Sequence, residues 1–116
     1  MAIIYHIARR ADWLRARAEG VYRGDTLASE GFIHCSTKDQ VVRVANHLFM
    51  GRSGLALLTI DESRLKSEVR YEAAVDGEVF PHIYGPINLD AVVRAQAFEP
   101  GEDGRFTDEA LKVNFD

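Results

Sequence analysis

An α+β domain is predicted, on three observations. Helical periodicity is clearest in two short segments in the first half of the chain. Strand-like runs dominate the second half. No regular strand–helix–strand alternation continues far enough to build a doubly wound parallel sheet. The 116 residues fit one domain, residues 1–116.

The elements follow in order. "AIIYHIA" (2–8) carries Ile3, Ile4, Tyr5 and Ile7 and reads as a buried strand. A short helix is predicted over 9–19, with Trp13, Leu14 and Ala18 at helical spacing and Gly20 as its stop. The polar stretch 21–30 has no period and reads as a surface loop. "GFIHC" (31–35) is a short strand in which Phe32 and Cys35 are expected to serve the core. Thr37 as N-cap with Gln40 three residues on makes a capping box, and Val41, Val44, Ala45, Leu48 and Phe49 form an apolar stripe behind it. Gly51 ends this helix. "GLALLTID" (54–61) is a continuous apolar run and a central strand. In 67–74, Val69 and Tyr71 alternate with Arg70 and Glu72, as on a strand with two unlike faces. Asp76-Gly77 opens 76–87 with a hairpin signal, and Pro81 and Pro86 predict that this segment is irregular or lies at an edge. A last strand is predicted over 90–100 and a terminal helix over 106–115.

Composition narrows the function classes. A hydrophobic share of 47% with 28% charged residues is ordinary for a folded soluble chain and rules out a low-complexity one. The net charge of −4 argues against a general DNA binder, which carries a basic face. Arg9, Arg10, Arg15 and Arg17 cluster near the first helix and read as a solvated helix face. A single cysteine excludes an intramolecular disulfide. "MAIIYHIARR" lacks a basic region followed by a long apolar run, so neither a secretory leader nor a membrane span is expected, and the expected location is cytoplasmic.

Two segments concentrate chemistry-bearing residues, "GFIHCST" and "FPHIYGP". Each sets a histidine near a strand end beside a hydroxyl or phenol. His47, among the apolar positions of the second helix, is set aside. His6 lies inside the first strand, where a core histidine donates its ring N–H to a carbonyl. Three histidines plus Glu72 offer zinc ligands, but no pair has tight ligand spacing, and no metal is assigned. Cys35 is a poor nucleophile, because strand alternation turns His34 to the opposite face. His34-Cys35-Ser36 fits the H-x-[ST] unit of two-histidine phosphoesterases, whereas His82-Ile83-Tyr84 places a tyrosine third, which is half a motif. A nicotinamide-dinucleotide pocket would draw on His6, Ser36, Tyr84 and either His82 or Glu72, with no G-x-G-x-x-G loop and hence no Rossmann mode.

The segments "IYHI", "GFIHCST", "LLTID", "RYE" and "FPHIYGPINLDAV", over roughly residues 3–94, together resemble a small bacterial family catalogued as domain of unknown function 952. That family resembles a compact, divergent ADP-ribosyltransferase. The resemblance implies a split, mostly antiparallel β-core with short helices. It also implies a histidine-rich pocket for a nucleotide-like ligand, with NAD or ADP-ribose as substrate; the residues by themselves name no cofactor. Carried over residue by residue, His6 takes the ribose-holding role of the first motif. "GFIHCSTKDQV" takes the second, with His34 where a tyrosine often stands and Ser36 as the hydroxyl, and Tyr84 joins them as a ligand contact. His82 and Glu72 compete for the third. A histidine in place of a glutamate stabilises an oxocarbenium-like transition state less well. The RNA 2'-phosphotransferases, a branch that uses histidine and arginine there, make such a site less odd. The expected catalytic residues are thus His34, His82 and Glu72, and the expected ligand contacts His6, Ser36 and Tyr84. Two other readings stand beside the enzyme: a non-catalytic module that binds a small ligand, and histidines that knit strands together through buried hydrogen bonds.

Overall fold

Residues 2–112 are described in the computed structural model. Along the chain run β1 (Ile3–Arg9), α1 (Arg10–Glu19), β2 (Val21–Tyr22), α2 (Leu27–Glu30), β3 (Ile33–His34), α3 (Lys38–Leu48), β4 (Leu55–Asp61), β5 (Glu68–Ala73), β6 (Val79–Tyr84), β7 (Ile87–Asn88) and β8 (Val92–Phe98). Every named strand pair is antiparallel. The strands form two three-stranded sheets, β1-β4-β8 and β3-β6-β5, and a small β2-β7 ladder. The expected α+β class, with mostly antiparallel sheets and few short helices, is what the chain adopts.

β4 is central in its sheet, as its unbroken apolar run predicts. Leu58 and Ile60 point into a core shared with Ile4, Ala8, Ile33, Cys35 and Ile83, between the two larger sheets. Leu55 and Leu57 point the other way, onto Val41 and Ala45 of α3 and onto Phe98 and Phe106. A strand covered on both faces has no polar side to alternate with.

The capping box at α3 forms. Gln40 Oε1 accepts the Thr37 N–H at 3.0 Å, while its Nε2 donates to the Val79 carbonyl at 2.7 Å and so ties the helix start to β6. Of the predicted stripe, Val41 and Ala45 are buried and Val44 and Phe49 half-buried; Leu48 lies beyond the seam and is exposed. On α1 the seam is Trp13 and Ala16, with Leu14 and Ala18 exposed. The small Ala16 lets the helix seat closely on the core, a choice that apolar spacing alone does not reveal.

Three expectations are corrected. The stretch 21–30 is not all loop: it holds β2 and the single turn α2, elements too short to show a period. The segment 76–87 does form a hairpin with β5, turning at Gly77 with φ +89, but β6 is a central strand and Pro81 is fully buried in it. Pro81 is tolerated because β3 has all but ended there. Its carbonyl accepts the Cys35 N–H at 3.0 Å, and its missing N–H falls on the side where the neighbouring chain leaves to pair with β1. The predicted terminal helix is, within the described residues, a 3-10 turn at Asp108–Leu111; residues 113–115 lie outside them.

One crossing matters for the site. Ser36 leaves β3 and pairs with Tyr5 of β1, the two N–H groups each donating to the other's carbonyl at 2.8 Å. The chain at His34 therefore bridges the two larger sheets.

Candidate functional site

His34 and His82 stand directly opposite each other in the β3–β6 ladder. Alternation places both on the outer face of that sheet, while Ile33, Cys35, Pro81 and Ile83 are buried beneath. The imidazoles meet edge to face, with centroids 5.3 Å apart. Each is held by a carboxylate. His82 Nδ1–H donates to Glu72 Oε1 at 2.8 Å, and His34 Nε2–H donates to Glu30 Oε1 at 3.0 Å. That leaves one ring nitrogen on each histidine, Nε2 of His82 and Nδ1 of His34, outside those bonds.

Glu72 is the hub of the larger cluster. The same Oε1 accepts the Tyr84 phenol at 2.5 Å. These two hydrogen bonds, Tyr84 first, hold the Glu72 carboxyl below its ordinary range, and the carboxylate in turn raises the ionisation of the Tyr84 phenol. Arg70 lies opposite His82 in the β5–β6 register and stacks its guanidinium 4.4 Å from the Tyr84 ring centre. Sequence alternation had already set Arg70 and Glu72 on one face; the register supplies His82 and Tyr84 to it.

Phe32 completes the face. It was expected in the core, but strand parity with His34 wins. Its ring stacks on His82 at 4.2 Å and contacts His34 at 4.8 Å and Tyr84 at 5.2 Å. Phe32 and Glu30 are the residues that sequence reasoning missed here. The i,i+2 parity of Phe32 with His34 was the available signal; Glu30 reaches His34 across the turn at Gly31, from the end of α2 to β3, and no spacing rule encodes that.

The remaining candidates sit apart. His6 points from β1 toward the core, on the same side as Ile4 and Ala8. Its Nδ1–H donates to the His34 carbonyl at 2.6 Å and its Nε2 accepts the Tyr22 hydroxyl at 2.8 Å, so both ring nitrogens are engaged. Burial lowers its pKa, which keeps the ring neutral. Ser36 is buried at the β1 crossing. Cys35 is buried, and burial pushes its thiol up, away from thiolate chemistry. Among the described residues no three His, Cys, Asp or Glu side chains converge as a metal ion requires.

The face is shallow. His34 is about half exposed, whereas His82 is 15% exposed beneath Phe32. Two clefts, of about 300 Å³ beside Gln96, Glu99 and Thr107 and about 200 Å³ between α1 and Tyr22, lie away from it. No helix among the described residues is long and apolar enough to cross a membrane.

A family model described as "Protein of unknown function (DUF952)" matches residues 7–95, a span that holds His34, Glu72, His82 and Tyr84. The chain belongs to the DUF952 family. Solved structures agree in fold. The crystal structure of CC0527 from Caulobacter crescentus is 31% identical with a TM-score of 0.84, covering 95% of this chain and 99% of that one. The solution NMR structure of CC0527 is 34% identical with a TM-score of 0.81, covering 97% and 100%. No curated protein matches this DUF952 chain. Membership fixes the fold class and assigns no reaction.

Proposed function

We propose that the outer face of β3-β6-β5 is an acid–base site for a nucleotide-like ligand of the NAD or ADP-ribose type, with His34 and His82 as the reacting pair. The observation that carries this reading is their mutual placement. Two imidazoles face one another, each orientated by a carboxylate through one nitrogen and each keeping the other nitrogen for a ligand. One neutral ring can accept a proton from the attacking hydroxyl while the other hydrogen-bonds the ligand; nicotinamide leaves as a neutral group and needs no proton. Phe32 and Tyr84 offer faces for a base or nicotinamide, Glu72 orients His82, and Ser36 stands behind the crossing that carries His34. The ADP-ribosyltransferase-like version of this reading rests on the family resemblance alone.

Charge favours transfer or hydrolysis at an N-glycosidic bond over phosphoryl chemistry. Glu30, Glu68 and Glu72 outnumber Arg70 around the histidines. At the reacting centre such carboxylates disfavour a transferring phosphoryl group and stabilise a carbon that becomes positive, and the diphosphate of NAD or ADP-ribose has to lie outside this cluster. The two-histidine phosphoesterase or RNA 2'-phosphotransferase reading needs the opposite field, and a non-catalytic module needs neither free nitrogen.

The test is an NMR and thermal-shift titration with NAD, ADP-ribose and a short 2'-phosphorylated RNA, followed by turnover assays. Shifts at His34 and His82 with NAD or ADP-ribose, lost in His34→Ala and His82→Ala, support the site. Perturbation by the phosphorylated RNA alone favours the phosphotransferase reading. Absence of any shift at millimolar ligand, or turnover that survives loss of both histidines, overturns it.

A further inference from the structure

The family resemblance gives His6 a ribose to hold, but the ring has no free nitrogen with which to do so. We infer that the His6–Tyr22 pair is the positioning element of the face: it fixes the main chain at His34, and through it the placement of the His34 ring against His82, without touching the ligand.

The argument begins with how little else holds β3. The strand is two residues long and pairs with β6 on one side only. At its end the chain leaves to bridge β1 through Ser36 and Tyr5. A strand this short has few ladder bonds to fix its register. The His34 carbonyl is reached from β1 by the His6 Nδ1–H at 2.6 Å. A carbonyl can only accept, so the proton must sit on Nδ1, and the neutral ring then presents Nε2 as an acceptor. The Tyr22 hydroxyl donates to that acceptor at 2.8 Å and holds the ring in the orientation the tie requires. Tyr22 itself is buried, held by the β2–β7 ladder and by contact with Gly24, where a Cβ would press to 3.3 Å from its ring. The order of dependence is Tyr22, then His6, then the His34 main chain. Its last member carries one of the two imidazoles.

The inference rests on reading the His34–His82 face as the site, but its test needs no ligand, so failure of one is distinguishable from failure of the other. His6→Asn keeps a donor where Nδ1 stands; His6→Gln moves the polar group to the Nε2 position. Tyr22→Phe keeps the ring and removes only the hydroxyl. Nitrogen-detected NMR of the unliganded variants reads the His6 tautomer, the Cys35 amide (the peptide whose carbonyl is tied) and the His34 ring. The expected result is displacement of the Cys35 and His34 signals in His6→Gln, near-native signals in His6→Asn, and an unchanged tautomer with intermediate displacement in Tyr22→Phe. The His82–Glu72 signals should hold in all three. Unmoved His34 and Cys35 signals in both His6→Gln and Tyr22→Phe would overturn the inference, whatever the melting temperatures do. Should His6→Gln fail to fold, the isosteric Tyr22→Phe decides alone.

Discussion

His34 and His82 are cross-strand partners in register, their rings 5.3 Å apart, yet they live in different surroundings. His82 lies under the Phe32 ring and on Glu72, at 15% exposure. His34 is about half exposed and donates to Glu30 in a half-exposed hydrogen bond. One histidine is built into the sheet and the other is displayed by it.

Alanine at the two positions should therefore separate stability from ligand binding. His82→Ala removes a stacked ring and a hydrogen bond and should cost about 1–3 kcal/mol. His34→Ala removes an exposed pair and should cost about 0.5 kcal/mol or less. Denaturant unfolding of both variants checks this. Equal and large losses would mean that both rings knit the strands together and that neither is held ready for a ligand.

Glu72→Gln probes the hub. The carboxylate raises the ionisation of the Tyr84 phenol, so removing the charge should bring that ionisation back down toward the ordinary tyrosine value. Arg70 over the Tyr84 ring pushes in the same direction once Glu72 no longer opposes it. An ultraviolet absorbance titration of phenolate formation reads the change, with Tyr84→Phe identifying the residue. An unchanged titration would show that Glu72 does not govern Tyr84 in solution.

Much of this was legible in the sequence, and the misses share a cause. The capping box at Thr37–Gln40 and the continuous run of β4 are local signals with one dominant interpretation. Parity along β5 placed Arg70 and Glu72 together without any knowledge of the partner strand. Phe32 reads as core because it is apolar, although parity with His34 argues for the outer face. Pro81 reads as an irregular or edge position because proline lacks an N–H, and what permits it inside is the two-residue length of β3, a tertiary fact. The register that brings His34 onto His82 joins positions 48 residues apart, and no spacing motif encodes it.

Gly85, between β6 and β7, should resist substitution more than the turn glycine Gly77. A Cβ at Gly85 would lie 2.4 Å from Ser67 Oγ and 2.9 Å from its Cβ, at a backbone φ of +154. A Cβ at Gly77 meets nothing within 4 Å, so only its φ of +89 opposes it. Gly77→Ala should cost about 1–2 kcal/mol from backbone conformation alone. Gly85→Ala adds a clash and should cost about 2 kcal/mol or more. It should also disturb the Tyr84–Glu72 bond, because Tyr84 is the preceding residue. Chemical denaturation and the Tyr84 ring signals test both claims. Equal cost at the two glycines would show that Ser67 can move aside.

His6 should leave a mark on the pH dependence of stability. Its pKa in the folded chain lies below the ordinary 6.5, chiefly because burial disfavours the cation, which outweighs the bond to the His34 carbonyl and the charge of Asp25. The unfolded chain therefore takes up this proton first as pH falls. The stability that neutral His6 contributes is complete above about pH 6.5 and is lost as pH falls through the folded value. Glu72 and Glu78 titrate below their ordinary 4.5 and Asp61 and Asp90 below 3.8, so their contributions hold above those values and fall away only at lower pH. The two sets occupy different windows. Between about pH 6.5 and 4.5, His6→Asn should flatten the fall in unfolding free energy, because asparagine keeps the tie to His34 and cannot titrate. Below that window the carboxylates add the same fall to both. Denaturant unfolding at several pH values across both windows measures this. Parallel curves through the upper window would mean that His6 takes up its proton in the folded chain without losing the Tyr22 contact, the hydroxyl turning to accept where it had donated.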